Sequence, residues 1–308
     1  MTHVSVIIPT VGRRSLPAAV NSALDQVDVE VEVIIVCDLE DVPFSVQSLS
    51  GPRVTTLCTG GARGGSYARN LGVRAATGEY VAFLDDDDEW VSEKLVLQIA
   101  AAKEIERSGQ QPVVSSRVRQ RYASQGRLSV PSPRRLISSA ESPEHFLFNR
   151  RSIGVGRPLM PTSTLLTTRS VSESVTWDET LRRHQDWEWL IRVARVPGVT
   201  VLQIEEPTTV YNVGSPSSIS ARPEWTPSYE WVQRYRDDWP GQLYASFIFS
   251  HVLRFCLHSR NWYDTFRIAV ETLRVGRPNF MCVVAALGGI IPRGVLERLA
   301  FSSELRGK

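Results

Sequence analysis

The first hundred residues alternate short apolar runs with segments of helical period. Runs rich in Val, Ile and other strand-forming residues predict β-strands at residues 4–9, 31–37, 54–58 and 80–84. Between the last two, Ala68, Leu71 and Ala75 fall on one face of a predicted helix over residues 66–76. Another helix is predicted from about Ser92. Strands that alternate with helices indicate βαβ units and a mostly parallel sheet.

The pattern changes after Pro112. Further strands are predicted at residues 113–122, 163–168, 199–204 and 208–213, with a helix over residues 185–196. The Ser-, Pro- and Gly-rich stretch through Ser142 has no clear period and predicts a loop region. Beyond Ser220 the chain becomes aromatic and helical. We therefore predict an α/β domain over residues 1–215 and a helical region over residues 216–308.

Composition narrows the partners and the compartment. The 35 basic and 33 acidic side chains leave a formal charge of +2, so no overall field attracts nucleic acid, and we predict no nucleic-acid partner. Four cysteines without metal-ligand spacing, and a start without a signal-peptide pattern, favour a cytoplasmic location. The longest apolar stretch, residues 280–292, is shorter than the roughly 20 residues that cross a bilayer. It leaves room for peripheral contact at the inner membrane face.

A run of four aspartates, Asp85 to Asp88, directly follows the predicted strand 80–84. Open α/β sheets bind ligands at the carboxyl ends of their strands. Adjacent carboxylates repel one another, so their clustering costs stability unless a cation or several donors compensate. Hard ions such as Mg²⁺ or Mn²⁺ take oxygen ligands and share them with a substrate diphosphate. The run therefore predicts a metal and donor site, although an acidic flank for the helix near Ser92 is the simpler alternative.

Four motifs occur in order along the first 215 residues, and together they resemble the family 2 glycosyltransferases. VSVIIPT begins at Val4 and VEVIIVCD at Val31, and RHQDWEWLIRV begins at Arg183. The longest, GSYARNLGVRAATGEYVAFLDDDDEW from Gly65, is similar to the family's Ala-Arg-Asn helix and its metal-binding DxD segment. The resemblance implies a GT-A fold, which is α/β and Rossmann-like, with a mostly parallel mixed sheet flanked by helices. The nucleotide-sugar-binding and catalytic domain would cover residues 1–215. To this we add the helical C-terminal appendage, residues 216–308, which we expect to bind the acceptor or to contact a membrane surface.

The resemblance also implies the chemistry. It implies an inverting, metal-dependent transfer from a nucleotide-sugar, with a UDP-sugar favoured, to a carbohydrate or lipid-linked acceptor. The divalent cofactor would be Mn²⁺ or Mg²⁺. By motif, the residues implied on the donor side are Pro9, Thr10, Asp38, Arg69, Asp85 and Asp86, and those implied for the metal are Asp87 and Asp88. Because the run consists of four identical residues, the motif leaves open which of Asp85, Asp87 and Asp88 holds the ion. A turn aspartate at Asp38 and a solvated Arg69 remain alternatives.

Asp186 is the residue that the resemblance implies as the general base. In the predicted helix 185–196, the positions Trp187, Leu190, Ile191 and Ala194 share one face, and Asp186 lies at its edge. A base removes the proton of the acceptor hydroxyl during attack on the anomeric carbon. On the residues alone, the same position suits an aspartate that satisfies free amides at a helix start.

Three other functions fit parts of the sequence. A sugar nucleotidyltransferase also needs a nucleotide domain and a metal, but its Gly-rich loop should follow the first strand, where Pro9 and Thr10 stand instead. A glycoside hydrolase needs two carboxylates but no nucleotide pocket. A non-catalytic nucleotide-sugar-binding module would keep Asp38 and Asp87 without requiring Asp186. The segment Gly60 to Gly65 lacks the P-loop ending and predicts a flexible turn.

Overall fold

The computed structural model describes residues 1–122, 128–150, 156–213 and 224–290. The chain divides into two compact units. The first unit contains Met1–Pro131, Leu136–Pro143 and Met160–Val213. The second contains Ser132–Arg135, Glu144–Leu159 and Gly214–Lys308. Two segments from the middle of the chain thus belong with the C-terminal helices. The first lies in the predicted loop region, which extends through Ser142, and the second follows that region.

The described part of the first unit contains one sheet of eight strands. The strands are β1 His3–Thr10, β2 Glu30–Cys37, β3 Val54–Cys58, β4 Tyr80–Phe83, β5 Glu89–Trp90, β6 Gln111–Tyr122, β7 Leu166–Thr168 and β8 Val199–Val213. Their order is β3-β2-β1-β4-β7-β6-β8-β5. Strands β1 to β4 pair in parallel, β7 runs antiparallel to both its neighbours, and β5 is antiparallel to β8. The prediction of a mostly parallel mixed sheet is confirmed.

Helices cover both faces of this sheet. The helices through the first unit are α1 Leu16–Leu24, α2 Phe44–Gln47, α3 Gly65–Ala75, α4 Lys94–Arg107, α5 Pro143–Phe148, α6 Arg169–Ser174 and α7 Gln185–Ala194, of which α5 belongs almost wholly to the second unit. One face of β1 joins α1 and α4 in a continuous apolar core. On the other face, a Cβ at Gly72 of α3 would lie 2.5 Å from Cγ2 of Ile7. Only a glycine permits this close approach of α3 to β1.

Several predicted elements differ in detail. The strand predicted at residues 163–168 begins only at Leu166, because Thr162–Thr164 form a 3₁₀ turn in which the amide of Thr164 donates to the carbonyl of Pro161. The strands predicted at 199–204 and 208–213 are one strand, β8, whose pairing with β6 shifts register near Ser116 and Arg117. In α7 the buried tryptophan is Trp189, not Trp187. Trp189 stacks on Trp177, with ring centroids 5.1 Å apart.

The second unit is helical and has an aromatic core. Its remaining helices are α8 Thr226–Gln233, α9 Gly241–Phe247, α10 Arg254–His258, α11 Trp262–Val275 and α12 Phe280–Leu287, with a π-helical stretch at Ile248–Leu253 between α9 and α10. Phe148 packs edge-to-face on Phe247 with ring centroids 4.9 Å apart, and Trp239 stacks on Tyr235. Within the described ranges, no helix is long and apolar enough to cross a membrane.

Candidate active site

The carboxyl ends of three parallel strands bring the candidate residues together at one edge of the sheet. Thr10 ends β1, Asp38 follows β2, and Asp85 lies two residues beyond β4. The amide of Asp38 donates to the carbonyl of Thr10 over 2.8 Å, so the ends of β1 and β2 are joined directly. Because β1 lies between β2 and β4, its last residues face both acidic positions. This edge is where open α/β sheets bind ligands.

Asp38 holds the glycine-rich loop that precedes α3. Its carboxylate accepts hydrogen bonds from the Thr59 hydroxyl at 2.7 Å and from the Arg63 and Gly64 amides at 2.8 Å each. Gly64 has φ 93°, a left-handed conformation that favours glycine. The prediction of a flexible turn at residues 60–65 needs correction, because three donors fix this loop to one carboxylate. Contact between Asp38 and a nucleobase stays a prediction.

Asp86 and Asp87 share one cation, Arg13. The Thr10 hydroxyl donates to Asp86 at 2.6 Å, and the Arg13 guanidinium donates to Asp86 at 2.6 Å and to Asp87 at 3.2 Å. The side chain of Asp86 is only 4% exposed, and burial raises its pKa. Burial, together with repulsion from Asp85, raises the pKa of Asp87 to about 6 in spite of Arg13. Sequence analysis missed Arg13, although its place just after the first strand is a signal.

Asp88 is buried beneath the others. One of its oxygens accepts from the Ser163 hydroxyl at 2.5 Å and the other from the Asn212 amide at 2.9 Å. The Asn212 side chain also donates to the carbonyl of Asp87. Burial raises the pKa of Asp88 well above its ordinary value. With both oxygens engaged, Asp88 fastens the acidic segment to the 3₁₀ turn and to β8, and no local signal in the sequence links it to either.

Arg69 joins the acidic segment to the start of α7. Its guanidinium donates to Asp85 at 2.7 Å and to the side-chain oxygen of Gln185 at 2.9 Å, and it lies 4.9 Å from the ring centroid of Trp177. Only 9% of the Arg69 side chain is exposed. The predicted alternative of a solvated helix face is therefore wrong for Arg69. A single buried cation therefore connects Asp85 to helix α7, which carries Asp186.

The next residue of α3, Asn70, fixes the segment that leads into α7. Its side-chain amide donates to the Trp177 carbonyl at 2.9 Å and to Glu179 at 2.8 Å, and its oxygen accepts from the Trp177 amide at 2.8 Å. The Trp177 ring packs edge-to-face on Phe83 of β4 at 5.0 Å. Arg69 thus contacts the residues just after β4 and at the start of α7, and Asn70 contacts the segment just before α7.

Asp186 is the second residue of α7 and is partly buried. Burial raises its pKa to about 6, against the lowering effects of the Trp187 amide, which donates to it at 2.9 Å, and of nearby Arg69. Asp85 raises its pKa further, which puts the two carboxylates in one electrostatic environment. A carboxylate with a pKa of about 6 is ionised at neutral pH yet more basic than an ordinary aspartate.

Tyr211 of β8 lies among these acids. Burial raises the pKa of its hydroxyl, and Asp88, Asp186, Asp85 and Asp87 each raise it further. The phenol is therefore neutral and able to donate a hydrogen bond. The acidic segment and Asp186 thus both raise the pKa of this one hydroxyl. Sequence analysis did not select Tyr211, because a tyrosine in a predicted strand is expected to pack in the core.

The donor set suits a hard cation only in part. Asp85 and Asp87 are the more exposed acids of the run, with side chains 31% and 23% exposed. Within the described ranges, no group of three or more His, Cys, Asp or Glu side chains is arranged to hold a metal ion. Mg²⁺ is commonly held by one or two carboxylates that share it with a substrate phosphate. The chemistry of Asp85 and Asp87 fits that arrangement, whereas the engaged oxygens of Asp88 do not.

Comparison with known proteins gives concordant results. The chain is 28% identical over 218 residues to the amylovoran biosynthesis glycosyltransferase AmsB of Erwinia amylovora, a match that covers 68% of this chain and 69% of AmsB. It is 35% identical over 101 residues, 32% of this chain and 40% of the relative, to the UDP-Glc:alpha-D-GlcNAc-diphosphoundecaprenol beta-1,3-glucosyltransferase WfgD of Escherichia coli. Both relatives are glycosyltransferases.

Two solved structures have a similar fold. Residues 1–349 of S. aureus TarS in complex with UDP-GlcNAc align with a TM-score of 0.62 at 17% identity, covering 89% of this chain and 80% of that one. The complex of the same protein with UDP aligns with a TM-score of 0.61 at 18% identity, covering 97% of this chain and 83% of that one. A longer TarS chain is spanned over 55% of its length. At these identities the likeness shows the fold alone, and it confirms the GT-A architecture.

Residues 5–163 match the sequence model described as glycosyl transferase family 2. That range contains β1 to β6, the loop held by Asp38 and the whole acidic segment. With more than half of its length matched, and with a GT-A sheet that carries its acidic residues at the ligand-binding edge, the chain belongs to glycosyl transferase family 2 and is a nucleotide-sugar glycosyltransferase.

Proposed function

We propose that this protein transfers a sugar from a UDP-sugar to a hydroxyl of a carbohydrate or lipid-linked acceptor, with inversion at the anomeric carbon. The donor proposal is supported by the UDP and UDP-GlcNAc complexes of TarS, which shares the fold. The acceptor proposal is supported by the name of WfgD, which specifies a sugar on diphosphoundecaprenol, and by the polysaccharide named for AmsB. A lipid-linked acceptor also favours peripheral association with the inner membrane face.

The observation that carries the mechanism is the link through Arg69 between Asp85 and the start of α7. This link supports a reaction centre between the donor-side acids and Asp186. Asp186 takes the proton of the acceptor hydroxyl. At the same time the hydroxyl oxygen attacks the anomeric carbon from the face opposite the diphosphate. The oxygen–carbon bond forms as the carbon–diphosphate bond breaks, which gives inversion. A positioned base of this kind contributes about 10²- to 10⁴-fold to the rate.

The donor would lie along the edge formed by β1, β2 and the acidic segment. Pro9, Thr10 and Asp38 would contact the nucleoside, and Arg69 would hold Asp85 in place near the diphosphate. Asp86 keeps Arg13 near the same group. The neutral hydroxyl of Tyr211 offers a hydrogen bond to a phosphate or sugar oxygen.

We propose that Asp85 and Asp87 hold a Mn²⁺ or Mg²⁺ ion shared with the donor. Asp85 thus replaces Asp88 in the ligand pair that the sequence implied. Asp85 and Asp87 are the more exposed acids, and the mutual repulsion that raises the pKa of Asp87 favours a cation between them. The ion would supply Lewis-acid stabilisation of the negative charge on the departing diphosphate. The chain's own part is to hold both carboxylates at this edge, through Arg69 on one side and Arg13 on the other.

The experiment is a transfer assay with UDP-, GDP- and dTDP-sugars, with and without Mn²⁺, on the protein and on Asp186→Asn. We expect transfer from a UDP-sugar, and a loss of at least about 10²-fold in Asp186→Asn with UDP binding retained. The matched control is Glu188→Gln, which removes a carboxylate of the same helix that pairs with Arg192, and should keep its activity. Normal turnover by Asp186→Asn would overturn the assignment of Asp186 as the base. Preference for a GDP- or dTDP-sugar would overturn the assignment of the donor. Equal rates with and without metal would overturn the assignment of a metal cofactor.

A further inference from the structure

Helix α11 of the second unit is apolar on two opposite faces. Ile268 and Thr272 are buried within the unit, with 0% and 2% exposure. Residues about half a turn away form an exposed stripe, here called the aromatic face, which consists of Trp262, Tyr263, Phe266 and Leu273 at 60%, 78%, 74% and 51% exposure. A helix at the surface of a globular unit normally has polar residues on its outer face. The aromatic face therefore needs a partner.

Arginines flank the aromatic face, and they outnumber the acids of the same stretch of chain. Residues 241–290 contain five arginines, no lysine and only two acids, Asp264 and Glu271. Both acids pair with Arg267, at 2.9 and 3.3 Å. The structure shows no ion pair with any described residue for three exposed arginines, Arg260, Arg274 and Arg277. The outward side of α11 thus combines large aromatic rings with uncompensated positive charge.

We propose that the aromatic face of α11 docks on an anionic lipid surface. Trp and Tyr favour the boundary between headgroups and acyl chains, because their rings are apolar with one polar atom. Interfacial helices combine such rings with Lys or Arg, and the basic residues are attracted to anionic headgroups. The arginines next to the face supply that attraction.

Charge favours lipid over a second copy of the chain. A two-fold interface places the same patch on both subunits. It would bring Arg260, Arg274 and Arg277 of one copy up to the same residues of the other, with no free acid on the face to compensate. An anionic bilayer offers the opposite charge to all three. The proposal rests on the proposed function for membrane association and adds which surface makes the contact and which lipid charge attracts it. Lipid docking is measured without any sugar transfer.

The test is co-flotation of the full chain with vesicles of phosphatidylcholine alone and of phosphatidylcholine with phosphatidylglycerol. We expect binding only to the anionic vesicles, weakened by added salt. The double variant Trp262→Ser/Phe266→Ser should reduce binding at least about tenfold. Its control is Phe44→Ser, which removes a ring that is 82% exposed in the first unit and should bind normally.

The charge is tested with Arg274→Gln/Arg277→Gln. At about 1 kcal/mol for each arginine near an anionic surface, this variant should bind about 30-fold more weakly. Arg107→Gln, which removes an exposed arginine of α4, serves as its control. Circular dichroism and the melting temperature confirm that each variant is folded.

Equal binding to neutral vesicles, no binding by the unaltered chain, or equal losses in Phe44→Ser would overturn the proposal. So would a dimer without lipid that Trp262→Ser/Phe266→Ser converts to a monomer, since the face would then join two copies. Transfer from a UDP-sugar to both lipid-linked and lipid-free acceptors, assayed on the same samples, separates the two proposals. Its absence in every sample would contradict the proposed function and leave the vesicle result standing.

Discussion

Asp186 provides a prediction that links catalysis to stability. Its pKa of about 6 in the folded protein exceeds the ordinary aspartate value of 3.8. The folded state therefore binds the proton more tightly than the unfolded chain does. Above pH 6 the buried, ionised carboxylate lowers the free energy of unfolding, by about 3 kcal/mol at 1.36 kcal/mol for each pH unit of difference. The cost shrinks as the pH falls from 6 to about 4 and is absent below that.

Asp186→Asn removes the charge but retains an oxygen that can accept from the Trp187 amide. We expect this variant to be more stable than the unaltered protein at pH 7.5, by up to about 3 kcal/mol. For a unit of this size that is a rise of roughly 6–12 °C in melting temperature. The difference should fall steadily between pH 6 and pH 4. The inactive variant would thus be the more stable one, as expected where a site holds a strained charge for function.

The assay is thermal unfolding followed by circular dichroism at half-unit steps from pH 4 to pH 8, for the unaltered protein, Asp186→Asn and the control Glu188→Gln. The control loses a carboxylate of the same helix and its pair with Arg192, and should not gain stability. A melting temperature for Asp186→Asn that is lower at every pH, or a gain that does not depend on pH, would refute the reasoning. Either result would mean that the Asp186 carboxylate is not buried at an electrostatic cost.

Three further predictions concern other parts of the site and core. The kcat/KM for transfer should fall about tenfold for each pH unit below 6, because protonated Asp186 cannot accept the hydroxyl proton, and an initial-rate profile that stays flat to pH 5 would contradict this. Gly72→Ala should lose about 1–3 kcal/mol in denaturant unfolding, because its Cβ would lie 2.5 Å from Ile7, whereas Gly51→Ala, with nothing within 4 Å, should change little. Equal losses in the two would refute the close approach. Asn70→Ala removes three hydrogen bonds to Trp177 and Glu179 and should cost about 2–4 kcal/mol in the same measurement, while a loss below about 0.5 kcal/mol would show that they contribute little.

The sequence predicts best where local composition decides the structure. Runs of Val and Ile identify β1, β2 and β3 to within one or two residues, because β-branched side chains fit a pleated, buried surface. The position of the acidic run at the end of β4 follows in the same way. The family assignment then favours a transferase over the nucleotidyltransferase and the binding module.

What the sequence does not predict depends on partners that are distant in the chain. Asp88 is fastened by Asn212, 124 residues away, so only the pairing of β8 can show that this acid is buried. Arg69 meets Gln185 across 116 residues, which no local pattern encodes. The loop at residues 60–65 illustrates the converse. Its glycines suggest freedom, but the amides of Arg63 and Gly64 both donate to Asp38, and the loop is fixed.

The strand order has a consequence for the synthesis of the chain. Strand β5 completes its pairing only with Thr209 and Val210, about 120 residues later, and β4 and β6 must wait for β7 to come between them. At about 5–20 residues per second, the acidic segment leaves the ribosome on the order of ten seconds before β8 does. The Asp88 carboxylate gains its hydrogen bond from Ser163 during that interval and the one from Asn212 only at its end. A chain whose synthesis stops between Tyr122 and Leu166 would therefore have β6 but not β7, and its sheet would be open between β4 and β6, a substrate for chaperones and proteases.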